Sequence, residues 1–374
     1  VIAYSTGIQQ HPSHLQLHLL LLNRSQTFIK LERFSFALAD AEHALSLIES
    51  IPTSSTSSSS NGIDPLSPTL SAADVIALKE KALSRKAKAL YSLRRWQLAL
   101  EVYRQLLSIS PHLSDAQTGI SSCQSRLSEA SGGSCFDFPS LYRLSLQQHH
   151  SKEGGTAKMG DVADYVGPVK VAPIEGKGGG RGLVATREIQ PGEILLAVRA
   201  PALVSQSEIP KRLSPRLVSL NLEEDVLDET HLPLYIHNLI YRLLDQPELI
   251  PKINDLYTGP RSSCTSPTFD LYTPDHPSSS FASSNPNLST PPSSSSLPPI
   301  RPSDLYRAAF YNASTPSCSL PIDSLSSDAI EYYEEAPGAL FSESAMINSE
   351  CRRNCIQSVC FPLSPHVHIY LALF

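Results

Sequence analysis

From about His11 to Ser50 the apolar positions keep helical spacing. Leu17, Leu20, Leu21, Phe28, Leu31, Ala37, Ala41 and Ala44 carry the pattern, which predicts two helices that each bury one face. A second helical block is predicted from Ala72 to Pro111, and a third helix from Ser114 to Ala130. Between the first two blocks, Pro52 to Pro68 is dominated by Ser, Thr, Pro and Gly. Such a composition cannot bury a core and reads as a disordered loop.

After a mixed Gly- and Ser-bearing stretch, Ser131 to Asp164, the pattern changes to short strands. These are predicted at Val169–Ile174, Leu183–Thr186 and Ile194–Val198. Gln190-Pro191-Gly192-Glu193 should form a type II turn, because Pro presets the second position and Gly supplies positive φ at the third. Helical stretches follow at Asp228–Leu244 and Leu249–Tyr257. Gly259 to Arg301 is again rich in Ser and Pro. A short helix at Pro302–Tyr311 and a partly strand-like piece from Ala339 to Phe374 complete the chain.

The 374 residues therefore suit two modest domains with linkers. The expected class is α+β and multidomain. A helical region spans 11–130 and is interrupted by a loop at 51–70. A linker covers 131–164. A mostly β domain with a helical insert spans 165–374, interrupted by the low-complexity insert 259–301. The net charge of −6 argues against a chain that grips nucleic acid or an acidic membrane through bulk charge. Seven Cys, with no C-x-x-C pair, argue against a disulfide framework and for reduced thiols, as in the nucleus or cytoplasm. No run of about 18 apolar residues is present, so no membrane helix is expected. Val1-Ile2-Ala3-Tyr4 is neither a signal peptide nor an initiator Met, which suggests a fragment.

The two helical blocks repeat each other. With Asn23-Arg24-Ser25 set over Arg85-Lys86-Ala87, Ser25 matches Ala87, Phe28 matches Leu90 and Phe34 matches Trp96. Ala37 matches Ala99, Ala41 matches Tyr103 and Ala44 matches Leu106. Pro111 falls where such a repeat would end. Small residues at fixed places let antiparallel helices approach, and large ones fill the gaps between them; a generic hairpin array would not keep them in register. The pattern resembles tetratricopeptide (TPR) repeats. That resemblance implies a solenoid whose groove holds an extended peptide. Some TPR co-chaperones clamp the C-terminal carboxylate of heat-shock chaperones with Lys, Asn and Arg, and the matching positions here are Asn23, Lys81 and Arg85. An amide and two cations on one groove suit an anionic terminus. The further Lys and Asn of that clamp have no counterpart before His11.

A second constellation runs from Glu175 through Gly176-Lys177-Gly178-Gly179-Gly180-Arg181-Gly182-Leu183 to Ala185-Thr186-Arg187 and Pro191-Gly192-Glu193. Glycines let backbone approach a bulky ligand, and Lys177 and Arg181 can meet a carboxylate. The run does not spell G-x-G-x-x-G, no Walker Lys-Ser/Thr follows, and strands rather than a helix come next, so a phosphate loop does not fit. A plain Gly-rich hairpin is the simpler alternative. The whole stretch resembles the opening of SET domains, in which this loop wraps S-adenosylmethionine.

The third constellation, Ser344 to Cys355, resembles the SET segment S-x-I-N-H-S-C-x-P-N. Ile347, Asn348, Cys351 and Asn354 match it, and Gly338-Ala339-Leu340-Phe341 is similar to its lead-in. Ala345 stands where the family has Ser, Ser349 where it has His, Glu350 where it has Ser, and Arg353 where it has Pro. A carboxylate at Glu350 would destabilise a buried site unless paired. A zinc site of Cys351, Cys355 and Cys360 with His366 or His368 lacks the usual spacing.

The resemblance as a whole implies an S-adenosylmethionine-dependent protein-lysine methyltransferase acting on a histone or other lysine-bearing protein, with TPR repeats recruiting a partner. Its cofactor residues would be Lys177, Gly178, Arg181, Asn348 and Ser349. The family's late Gly-Glu-Glu-Ile-like strand and the Tyr after it have no match before Phe374, so the domain reads as truncated and, as given, inactive. The alternative is a non-catalytic TPR scaffold or co-chaperone with a degenerate SET remnant.

Overall fold

Two polar residues start the long helices. Gln16 Oε1 accepts from the backbone N–H of Ser13, 3.3 Å away, and helix α2 runs His14–Lys30. Ser71 Oγ accepts from the Asp74 N–H at 3.1 Å and donates to its carboxylate at 2.6 Å, which caps α4, Ala72–Ser92. The computed structural model describes residues 1–10, 12–51, 71–137, 161–174, 181–199, 201–202, 219–221, 226–228, 232–259, 302–314, 339–340, 355–359 and 367–372. The chain divides into two compact units, one holding Val1–Leu127 and the other Ser128–Leu271 with Pro292–Phe374. Its class is α+β.

The first unit is helical. A short helix α1, Ile2–Gln9, precedes α2; then come α3, Phe34–Glu49, α4, α5, Trp96–Ile109, and α6, Ser114–Ser131, whose last turn belongs to the second unit. Helix α2 packs on α1, α3 and α4, and α4 packs on α3 and α5. The helical block expected from Ala72 to Pro111 divides at Leu93–Arg95. There Arg94 takes a positive φ of 64° and the Arg95 N–H bonds the Leu90 carbonyl at 2.9 Å. The α2–α3 turn is built the same way. Glu32 has φ 56° and the Arg33 N–H bonds the Phe28 carbonyl at 2.9 Å. Both are six-to-one helix terminations.

The positions aligned from sequence are buried in matching fashion. Ser25 and Ala87, Ala37 and Ala99, and Ala44 and Leu106 are all fully buried, while Phe34 and Trp96 are half-buried. One core cluster joins Leu21, Leu22, Ala44, Ile48, Leu78 and Ala82. A larger one joins Phe28, Ala37, Leu83, Leu90, Ala99, Tyr103, Leu106 and Cys123. Helix α6 closes on this second cluster at Gly119, where a Cβ would lie 2.4 Å from Tyr103 Cζ.

In the second unit, strand β4, Ile194–Arg199, is the spine of a four-stranded antiparallel sheet. On one side it pairs with β1, Tyr165–Val166, and on the other with β10, Val367–Ala372, which also pairs with β9, Cys355–Val359. Ile194, Leu196, Ala197 and Val198 are all buried, as expected of a strand covered on both faces. The β10 register steps from Tyr370 opposite Leu196 to Leu371 opposite Ile194, so Leu195 bulges. Gly167 sits against that bulge. Its N–H bonds the Leu195 carbonyl at 2.9 Å, and a Cβ there would lie 2.5 Å from the Ile194 oxygen.

Strands β2, Val169–Pro173, and β3, Arg181–Ala185, form a separate antiparallel hairpin. The turn at Gln190–Glu193 has the expected form, with Gly192 at φ 81° and the Glu193 N–H on the Gln190 carbonyl at 3.1 Å. Strands β5, Ser219–Asn221, and β6, Val226–Asp228, pair with each other. Asp228 thus ends a strand, and the helix expected from it starts later, as α7, Leu232–Asp245. Helix α9, Pro302–Asn312, packs on α7 and on helix α8, Ile250–Asn254, and Leu239, Leu243, Ile250, Ile253, Leu305 and Ala309 of these helices are buried. Strand β7, Ala313–Ser314, pairs with β8, Ala339–Leu340.

Candidate functional site

The candidate residues fall in two places. Asn23 is exposed on α2, Lys81 is exposed on α4, and Arg85 is half-buried one helical turn after Lys81. In the repeat alignment Asn23 lies over Arg85 and Leu19 over Lys81, so these residues hold equivalent stations on two helices that touch. Arg85 Nη1 is buried and meets no acceptor among the described residues. Burial pushes its guanidinium below the ordinary value. A buried cationic donor without a partner is costly, and an anion placed against it would recover that cost.

Within the same helical unit, α2 and α3 share an ion pair that sequence reading passed over. Arg24 donates from Nε to Asp40 Oδ2 and from Nη2 to Oδ1, both at 2.7 Å, and from Nη1 to Ser5 Oγ at 3.1 Å. Arg24 and Asp40 are 6% and 2% exposed. The pair fastens α2 to α3 and, through Ser5, to α1. Burial raises the Asp40 carboxyl above its ordinary value, and the Arg24 hydrogen bonds and charge limit that rise. His43, on α3, is held below the ordinary imidazole value, first by burial and then by the Arg24 charge. The available signal was an Arg and an Asp at positions whose neighbours in phase are apolar.

The second place is the β2–β3 hairpin. Its last pair is Pro173 opposite Arg181. Arg181 Nη1 donates to Asp255 Oδ2 and Nη2 to the Asp255 backbone oxygen. Lys177, Gly178, Asn348 and Ser349 lie outside the described residues, so of the five proposed cofactor residues only Arg181 has a described position. Further along, Arg187 donates to both Glu193 oxygens, and Glu193 also accepts from the Gln190 N–H at 3.1 Å. This holds the turn from outside and depresses the Glu193 carboxyl, chiefly through the Arg187 hydrogen bond.

Among the described residues, no three His, Cys, Asp or Glu side chains are placed to hold a metal ion. Cys355 lies in β9 and His368 in β10, whereas Cys351, Cys360 and His366 lie outside the described residues. No helix among the described residues is long and apolar enough to cross a membrane.

No protein-family model matches the chain, and no solved structure matches it. It is similar to a protein of Gibberella zeae named methyltransferase, at 27% identity over 197 residues, which are 53% of this chain and 22% of that protein. The chain thus spans about a fifth of the length of the curated relative it matches.

Proposed function

We propose that this chain is part of an S-adenosylmethionine-dependent protein-lysine methyltransferase of the SET family, acting in the nucleus or cytoplasm on a histone or another lysine-bearing protein. TPR hairpins in its first unit recruit the protein partner. The observation that carries this reading is the likeness to the Gibberella zeae protein named methyltransferase. The Gly-rich run and the Arg-Gly-Leu opening of β3 support it from the sequence.

The donor set suits this cofactor chemically. Lys177 offers a cation for its amino-acid carboxylate, Gly178 offers backbone without a side chain, and Asn348 and Ser349 offer polar groups. When bound, S-adenosylmethionine supplies an electrophilic methyl group for in-line transfer to an amine. These residues bind and orient; the residue that takes the amine proton is not among them.

Isothermal titration of the whole chain with S-adenosylmethionine tests the proposal. Saturable one-to-one binding, competed by S-adenosylhomocysteine, is expected. An absence of binding heat at several temperatures would overturn it.

Arg85 Nη1, which has no partner among the described residues, favours a second reading, a TPR scaffold or co-chaperone that holds an acidic C-terminal peptide, such as that of a heat-shock chaperone, on Asn23, Lys81 and Arg85. Such a peptide should bind the chain, its amidated form should bind less well, and Lys81→Glu should weaken binding. Equal binding by all three combinations would sink this reading.

A further inference from the structure

We infer that Asp255 is a positioning residue: it holds Arg181, and with it the start of β3, in place against helix α8. This deepens the methyltransferase reading and rests on it for its functional consequence. A two-stranded hairpin is marginal by itself, and Pro173, opposite Arg181, has no N–H to add to the ladder there. The end of the hairpin therefore depends on contacts outside the ladder.

Asp255 is a fixed anchor for that contact. It caps α8, with its N–H on the Pro251 carbonyl at 3.1 Å. The next residue, Leu256, is 5% exposed. The two carbonyls after that are tied to α9. Asn312 Nδ2 donates to Tyr257 O at 2.7 Å, and Arg307 Nε donates to Thr258 O at 2.6 Å. Arg307 is itself buried. The chain of contacts therefore runs from α9 to the segment after α8 and on to the first residue of β3.

The geometry also redefines what Arg181 does. Both of its terminal nitrogens are engaged, one on the Asp255 carboxylate and one on the Asp255 carbonyl. A planar guanidinium satisfies two such acceptors at once, which a lysine ammonium cannot reproduce. Arg181 then serves the cofactor by placing the hairpin end rather than by direct contact. Its side chain is 37% exposed and that of Asp255 57%. A pair so exposed adds little to global stability, so the readouts must be local.

The test uses the full chain and three variants, Asp255→Ala, Arg181→Asp, and the exchanged pair Arg181→Asp with Asp255→Arg. Two quantities are read: S-adenosylmethionine affinity by calorimetry, and hydrogen exchange of the β3 amides. Each single variant should weaken affinity by about tenfold, as loss of a supporting residue typically does, and should speed β3 exchange. The exchanged pair should restore part of both, because the bond to the residue-255 carbonyl is lost. If Asp255→Ala leaves affinity and exchange unchanged, or if the exchanged pair restores neither, the inference is wrong. Faster exchange with unaltered affinity would remove Asp255 from any functional role. If the unaltered chain binds no cofactor, the methyltransferase reading fails by itself, and β3 exchange alone then decides whether Asp255 holds Arg181.

Discussion

Glu32 and Arg94 share one backbone conformation at equivalent places in successive helical hairpins. Their φ angles are 56° and 64°, and each is followed by a six-to-one hydrogen bond of 2.9 Å. Left-handed backbone costs a residue with a Cβ about 1 kcal/mol or more, and glycine avoids that cost while losing more entropy on folding. Glu32→Gly should therefore stabilise the helical unit by about 0.5 kcal/mol. Arg94→Gly should gain less, because the Arg94 guanidinium lies 5.0 Å from the Trp96 ring centroid. Urea unfolding followed by circular dichroism will rank the two.

Removing Asp40 while leaving Arg24 should be far more damaging. Asp40→Ala strands a guanidinium that is 6% exposed, and breaking a buried pair in this way costs about 3–5 kcal/mol. The double change Arg24→Met with Asp40→Leu should recover most of that loss, since no charge is left buried. A double-mutant cycle in urea would show this as a large coupling; additive single losses would contradict it.

Two glycines should respond differently to the same substitution. Gly119→Ala drives a methyl group into the Tyr103 ring, 2.4 Å from Cζ, a clash worth about 1–3 kcal/mol. Adding Tyr103→Leu should relieve part of it. Gly167→Ala meets the Ile194 backbone oxygen at 2.5 Å, which no side-chain change can move. It should cost at least as much and resist rescue. Thermal melts of the three single variants and the Gly119–Tyr103 pair would separate the cases.

His43 should make the first unit sensitive to mild acid. Its folded pKa lies below the ordinary 6.5, first because of burial and second because of Arg24. The unfolded chain therefore binds the proton more readily than the folded one. The stabilisation is complete above about pH 6.5 and declines as pH falls from there toward the folded value. His43→Leu should flatten that part of the profile. Denaturant midpoints between about pH 7.5 and 5.5 give the comparison; an unchanged slope in the variant would place the effect elsewhere.

Helices with one apolar face were readable along the chain because burial imposes a period on them. The residues Leu17 to Ala44 and the matched positions from Ala87 to Leu106 are examples. Helix α1 was not read: none of its residues is buried, so no periodic signal exists. The break at Arg94 was also missed, because an arginine in left-handed backbone carries none of the glycine signature of a helix end. Asp228 was expected to begin a helical stretch, yet it pairs with Ser219 in a strand. The turn at Pro191-Gly192 was legible because both residues are demanded by its dihedrals. At the candidate sites, residue types could be read but partners could not. Arg181 stands out after its glycines, whereas Asp255, 74 positions away, carries no local mark of the pairing. Arg24 and Asp40 meet for the same reason, across a helix-to-helix contact.

The place of β4 in its sheet bears on how the chain is made. Residues 194–199 find one of their two neighbours in residues 367–372, so loop closure over a long stretch must precede that pairing. During synthesis the helical hairpins, whose contacts are local, can form on the ribosome well before the sheet does. Until β10 arrives, a strand rich in Ile194, Leu196 and Val198 stands with one edge open, the arrangement most prone to pairing with other chains. Chaperone dependence and loss to aggregates should therefore concentrate in the second unit, and should be greatest for nascent chains that have not yet reached Val367.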